Sequence, residues 1–156
     1  MRHTSLELTP AVQSALAVGY EVKDGKPDSR KPSEELAGRG YNVPNAAIFA
    51  TIDDLAKFMT LEMLGGPESV VKTKTIKDNF SQGFFVFSNF NGAVGVGFQL
   101  GRFSDLIIAG HGGQVAGYRA QAYFRPDAPV GIISMRNADD GFGLEHLLSC
   151  LRALVQ

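Results

Sequence analysis

Leu106-Ile107-Ile108-Ala109-Gly110-His111-Gly112-Gly113-Gln114-Val115-Ala116-Gly117-Tyr118-Arg119-Ala120-Gln121-Ala122-Tyr123-Phe124 decides the fold of this 156-residue chain. A short apolar run, Leu106 to Ala109, leads into a glycine-rich tract. Tyr118 to Phe124 then alternates in the period of a strand buried on one face. A third run, Val130 to Met135, follows Arg125-Pro126-Asp127-Ala128-Pro129, whose prolines preset a turn. Three strand signals in sequence with short connections predict an antiparallel meander.

The flanking sequence supplies what the meander packs against. Gly141 to Val155 reads as an amphipathic helix with Leu144, Leu147, Leu148, Leu151, Leu154 and Val155 on one stripe, which must lie on the sheet. Upstream, Phe84 to Phe90 and Val94 to Leu100 flank Asn91-Gly92, the pair best suited to a tight hairpin turn. Val94, Val96, Phe98 and Leu100 alternate with Gly95, Gly97 and Gln99, as in a strand with one buried face. A helix is marked by Thr51 as cap, Asp53 and Asp54 in the first turn, a stripe of Ile52, Leu55, Phe58, Met59 and Met63, and the stop Gly65-Gly66-Pro67. Val70 to Phe80 suggests a further short helix. Thr9 and Pro10 open one over residues 9 to 20, with Val12, Ala15 and Leu16 at helical spacing. Lys23 to Pro44 is turn-rich and charged and reads as a surface loop. The expected class is α/β in the α+β sense: one domain over residues 1–156, an antiparallel sheet flanked by helices.

Composition narrows the function. With 44% hydrophobic and 20% charged residues and a net charge of -1, the chain gives no electrostatic reason to expect nucleic acid or an anionic membrane as a partner. A small-molecule or peptide substrate fits better. The single cysteine, Cys150, excludes an intramolecular disulfide framework and leaves the compartment open. Met1-Arg2-His3-Thr4-Ser5-Leu6 has no apolar signal core, and no apolar run approaches the roughly 18 residues of a membrane span.

Few residues offer chemistry. His3, in the terminus, His111, and His146, on the polar flank of the last helix, lack ligand-spaced partners, so neither a metal nor another cofactor is expected. Asp53-Asp54 is explained by capping and the helix dipole. Phe84-Phe85-Val86-Phe87 reads as core. Ser69-Val70-Val71-Lys72 has the spacing that puts a hydroxyl and an amine on one helical face, yet ten Ser and seven Lys give about 0.45 such matches by chance. On its own, His111-Gly112-Gly113 reads as a glycine-rich strand end with a solvated histidine.

Three segments in order carry a family resemblance: Leu16-Ala17-Val18-Gly19-Tyr20; Pro44-Asn45-Ala46-Ala47-Ile48-Phe49-Ala50-Thr51-Ile52-Asp53-Asp54-Leu55-Ala56-Lys57-Phe58; and Gly110-His111-Gly112-Gly113-Gln114-Val115-Ala116-Gly117-Tyr118 with Arg136-Asn137. They resemble the second half of the serine β-lactamase, D,D-peptidase and esterase superfamily, particularly its class C branch. Members carry a Ser-x-x-Lys nucleophile motif, a Tyr-x-Asn or Ser-x-Asn, and a Lys/His-x-Gly strand. Only the third has a match in place, as His111-Gly112-Gly113. Ser69-Val70-Val71-Lys72 lies downstream of where the nucleophile belongs, and Tyr41-Asn42-Val43 has its Asn one place early.

The resemblance implies acyl-serine hydrolysis of β-lactams, peptidoglycan peptides or esters. His111 would help hold a substrate carboxylate, Gly113 would let the backbone approach, and the Gln114 N–H would face the oxyanion hole. Members often place Thr or Ser where Gly112 stands, although glycine occurs in esterase-like relatives and suggests a shifted substrate. Many members are periplasmic or secreted. It further implies that two N-terminal strands extend the sheet beside Val130 to Met135. Without them that edge would be bare, inviting a missing segment or self-association. The expectation is a hydrolase portion inactive by itself, or else a non-catalytic binding module.

Overall fold

The described residues of the computed structural model are 1–30, 45, 48–81, 84–85, 92–103, 105–141 and 143–154. After the short strand β1 (Thr4–Ser5), Thr9 accepts a hydrogen bond from the Val12 N–H at 3.2 Å and Pro10 opens helix α1 (Pro10–Ala15). The sequence carries this helix to residue 20, but it ends at Ala15. Beyond it, Gly19 and Tyr20 already belong to strand β2 (Gly19–Lys23), which pairs with β3 (Lys26–Arg30). Asp24 and Gly25, at φ 51° and 73°, form the left-handed turn between them. Charged, turn-rich sequence thus makes a hairpin where a loop was expected, and residues 31–44 lie outside the described ones.

Strand β4 (Phe49–Ala50) pairs with β1 and feeds helix α2 (Ile52–Leu64), capped by Thr51 as expected. The stripe on α2 is only partly inward: Met59 is buried, whereas Ile52 and Phe58 are exposed. Helix α3 (Thr73–Ser81) starts later than the Val70 signal. Ser69 and Lys72 therefore precede the helix and share no helical face, a correction to the spacing argument.

Six strands then form one antiparallel sheet: β5 (Phe84–Phe85), β6 (Gly92–Val94), β7 (Gln99–Phe103), β8 (Leu106–Val115), β9 (Tyr118–Phe124) and β10 (Gly131–Arg136), in chain order. The expected strand Val94 to Leu100 is broken, because Gly95 N–H donates to Phe98 O at 2.8 Å and Val96 sits exposed at the resulting turn. Residues 86–91, with the Asn91 side of the first hairpin, lie outside the described residues. The separate meander and hairpin are one continuous sheet. Helix α4 (Leu144–Ala153) closes the chain.

Alternate side chains of β8 and β9 enter different cores. Leu106, Ile108 and Tyr123 pack with Leu148 and Leu151 of α4, while Ala109 and Phe124 pack with Met59 of α2. Phe98 meets Phe124 edge to face, 5.7 Å between ring centres, and stacks on Phe58 at 6.5 Å. Among the described residues β10 has no strand beyond it, and only Tyr20, bridging to Ala138, extends that side past its end.

Candidate active site

The His-Gly-Gly motif lies inside a strand, not at its end. Strand β8 runs on to Val115, pairing residue by residue with β9 from Ala109↔Phe124 to Val115↔Tyr118. Backbone pairing lengthens it through Gly110-His111-Gly112-Gly113, where no side-chain alternation could signal a strand. His111 and Gly113 share the α2 face with Ala109. His111 is exposed, and a Cβ built on Gly113 would meet no atom within 4 Å. Gly112 and Gln114 share the α4 face. A Cβ on Gly112 would lie 3.3 Å from Gln121 Cγ and 3.5 Å from Tyr123 Oη. The four motif residues are thus divided two and two between the faces of the sheet.

Their backbones divide differently. Ala116 and Gly117, at φ 50° and 75°, make the two-residue turn to β9, so Val115 and Tyr118 close the ladder as a hydrogen-bonded pair. Alternation then aims the N–H groups of His111 and Gly113 at β9, and those of Gly112 and Gln114 at the opposite edge. On that edge β7 begins at Gln99, paired to Gly110. Among the described residues no strand reaches Gly112 or Gln114 from that side.

On the α4 face, an open groove of about 410 Å³ runs past Gln99, Gly112, Gln114, Gln121, Tyr123 and Leu144. Tyr123 donates its hydroxyl to Gln99 Oε1 at 3.2 Å, and burial pushes its phenol above the usual range. Gln114 is held at both ends of its carboxamide: Arg119 Nη2 donates to Oε1 at 2.8 Å, and Nε2 donates to Asp139 Oδ2 at 3.4 Å.

The first resemblance segment is stitched to the third. Tyr20 N–H donates to both Gly117 O (3.1 Å) and Asn137 O (2.9 Å), and Asn137 Nδ2 donates to Val18 O at 2.9 Å. The Tyr118 hydroxyl donates to Ala17 O. The second segment carries a feature the sequence did not show. Asp54, read there as a dipole residue, is 0% exposed and accepts from His3 N–H (2.7 Å), Thr4 Oγ1 (3.0 Å) and Lys57 Nζ (2.9 Å). The Lys57 ammonium, aided by the His3 and Thr4 donors, outweighs burial and holds the carboxyl well below the usual carboxylate range.

Ser69 sits exposed in a turn, and His3 and His146 are exposed. Tyr41 and Asn42 fall outside the described residues. Among the described residues no helix is long and apolar enough to cross a membrane.

The family model described as Beta-lactamase matches residues 1–152. The chain belongs to the Beta-lactamase family. Among solved structures, the octameric penicillin-binding protein homologue from Pyrococcus abyssi superposes with a TM-score of 0.79 at 18% identity. The match covers 99% of this chain and 34% of that one, so the chain spans about a third of that protein's length. At that identity the likeness establishes a shared penicillin-binding-protein-like fold. No curated protein matches the chain. The matched span contains all three segments of the resemblance, residues 16–20, 44–58 and 110–118.

Proposed function

We propose that this chain forms one wall of an acyl-serine hydrolase cleft acting on a β-lactam, a peptidoglycan-type peptide or a small ester, with the nucleophile supplied by a segment outside these 156 residues. What supports the reading is the edge of β8 at Gly112 and Gln114, which no strand reaches among the described residues, beside the exposed His111. A serine attacking a carbonyl creates an oxyanion, and a strand N–H fixed in direction by its ladder stabilises that charge without reorganising. Gln114 supplies such a donor. His111 offers a cation or hydrogen-bond donor to a substrate carboxylate, and Gly113 leaves its side of the strand open. Gly112 brings no hydroxyl, which favours an ester-like substrate over one bound through that group. Alone, the chain is inactive.

Titration of the ¹⁵N-labelled chain with benzylpenicillin, and separately with an acyl-D-Ala-D-Ala peptide, tests this wall without needing turnover. The backbone amides of Gly112 and Gln114 and the His111 imidazole are expected to shift together. Saturating ligand that moves none of them overturns the reading.

A second reading, a non-catalytic self-associating module, is favoured by one observation: β10 is outermost among the described strands, and unpaired strand edges recruit partners. The octameric state of the Pyrococcus abyssi homologue agrees with it. Sedimentation velocity is expected to show dimers or larger species, and a strictly monomeric profile removes this reading.

A further inference from the structure

Asp139 bridges elements that are far apart in sequence. Its Oδ1 accepts the Val22 N–H at 2.7 Å, its own N–H donates to Tyr20 O at 3.0 Å, and its Oδ2 faces Gln114 Nε2 at 3.4 Å. The first two bonds fix the carboxylate on strand β2. The third is long and weak taken singly. It gains force from Arg119, which holds the other end of the same carboxamide at 2.8 Å and so fixes which end of Gln114 meets Asp139. Oxygen faces guanidinium and nitrogen faces carboxylate, an arrangement that a flip of the amide would replace with two repulsive contacts.

We propose that Asp139 is a positioning residue for Gln114: through Gln114 and Arg119 it anchors the end of β8 to β2 and so sets the direction in which the Gln114 N–H points. The proposal rests on the reading of that N–H as the oxyanion donor. The β2–β3 hairpin thereby gains a purpose, since it is the fixed body to which the motif strand is tied. A loose strand end would move the N–H direction, and donor placement is what makes such a group effective.

The test uses the ¹⁵N-labelled chain with benzylpenicillin as probe, in wild type, Asp139→Ala, Gln114→Ala and the double variant. Gln114→Ala keeps the backbone N–H and the Asp139 contact to Val22 while removing the side chain through which Asp139 acts. Wild type is expected to show the Gln114 amide shift. Each single variant should weaken the Kd read at that amide about three- to tenfold, with the double variant no worse than either single one. In Asp139→Ala the Gln114 side-chain NH₂ signals should also collapse toward their free positions while amides of α2 stay in place. Should Asp139→Ala fail to fold, Asp139→Ser takes its place, keeping a short acceptor for Val22 but not reaching Gln114. Equal Kd in Asp139→Ala or Asp139→Ser and wild type, or losses that add in the double variant, overturn the positioning role. A wild type whose Gln114 amide ignores benzylpenicillin instead fails the oxyanion reading itself, and the proposal falls with it.

Discussion

Gly117 and Tyr20 touch through their backbones: a Cβ on Gly117 would lie 2.5 Å from the Tyr20 nitrogen, whose N–H donates to Gly117 O at 3.1 Å. Residues 97 positions apart in the chain thus lock the turn of the motif hairpin against strand β2. Gly117 also has φ 75°, a conformation costly for any side chain. Gly117→Ala is expected to destabilise the chain by about 2 to 4 kcal/mol, combining left-handed strain with overpacking. Urea denaturation measures it, and a loss within about 0.5 kcal/mol would contradict the contact.

Gly113 is the contrasting case, because a Cβ there meets nothing within 4 Å. Gly113→Ala should leave stability unchanged or raise it by up to about 1 kcal/mol through a less flexible unfolded chain. It should nonetheless weaken the benzylpenicillin response, since the added methyl stands on the side of the strand shared with His111. The same denaturation and amide titrations separate the two effects; a stability loss like that of Gly117→Ala would contradict the open face.

Leu151 is 0% exposed at the centre of the α4 core, and Leu154, one turn on, is 64% exposed. Leu151→Ala is expected to cost about 2 to 5 kcal/mol, and Leu154→Ala less than about 0.5 kcal/mol. Equal effects in thermal or urea unfolding would show that the helix lies on the sheet in another rotation.

Asp54 makes stability fall in acid. Its carboxyl titrates lower in the folded chain than in the unfolded one, where a value of about 3.9 is normal. The stabilisation is therefore complete above that value and is lost progressively as the pH falls below it toward the folded-state titration. Thermal unfolding between about pH 6 and pH 2 should show wild type losing Tm more steeply than Asp54→Asn, with the two curves converging in acid. Parallel curves would mean that the carboxylate is not charged and bonded as described.

Sequence reveals what short-range forces decide and hides what distant contacts decide. Helices α2 and α4 and strand β9 follow from signals within a few residues, namely Thr51, the stripe of Leu147, Leu148 and Leu151, and the alternation from Tyr118, whereas Leu154, which the sequence puts on the same stripe, lies beyond the helix and is exposed. The apolar pattern carries the motif strand only from Leu106 to Ala109, because Gly110 to Gly113 offer little side-chain pattern and only pairing with β9 extends it to Val115. Helix α1 is shorter than its local pattern, and the β2–β3 hairpin departs from the loop its composition suggests, for one reason. Residues 17–22 are held by Gly117, Tyr118, Asn137 and Asp139, about a hundred positions away. Asp54 likewise looked like an ordinary first-turn acid until its donors arrived from residues 3 and 4. For the candidate site, the sequence offers the motif residues but not their division between two faces and one edge.

Under the proposed function this Beta-lactamase-family chain supplies a cleft wall and another segment supplies the nucleophile. Intact mass before and after incubation with a fluorescent penicillin and with a fluorophosphonate tests it most directly, because a covalent serine adduct defines acyl-serine chemistry. The mass of the chain alone is expected to stay unchanged with either reagent. A stable adduct mapped to any serine of the chain, Ser69 above all, would contradict it.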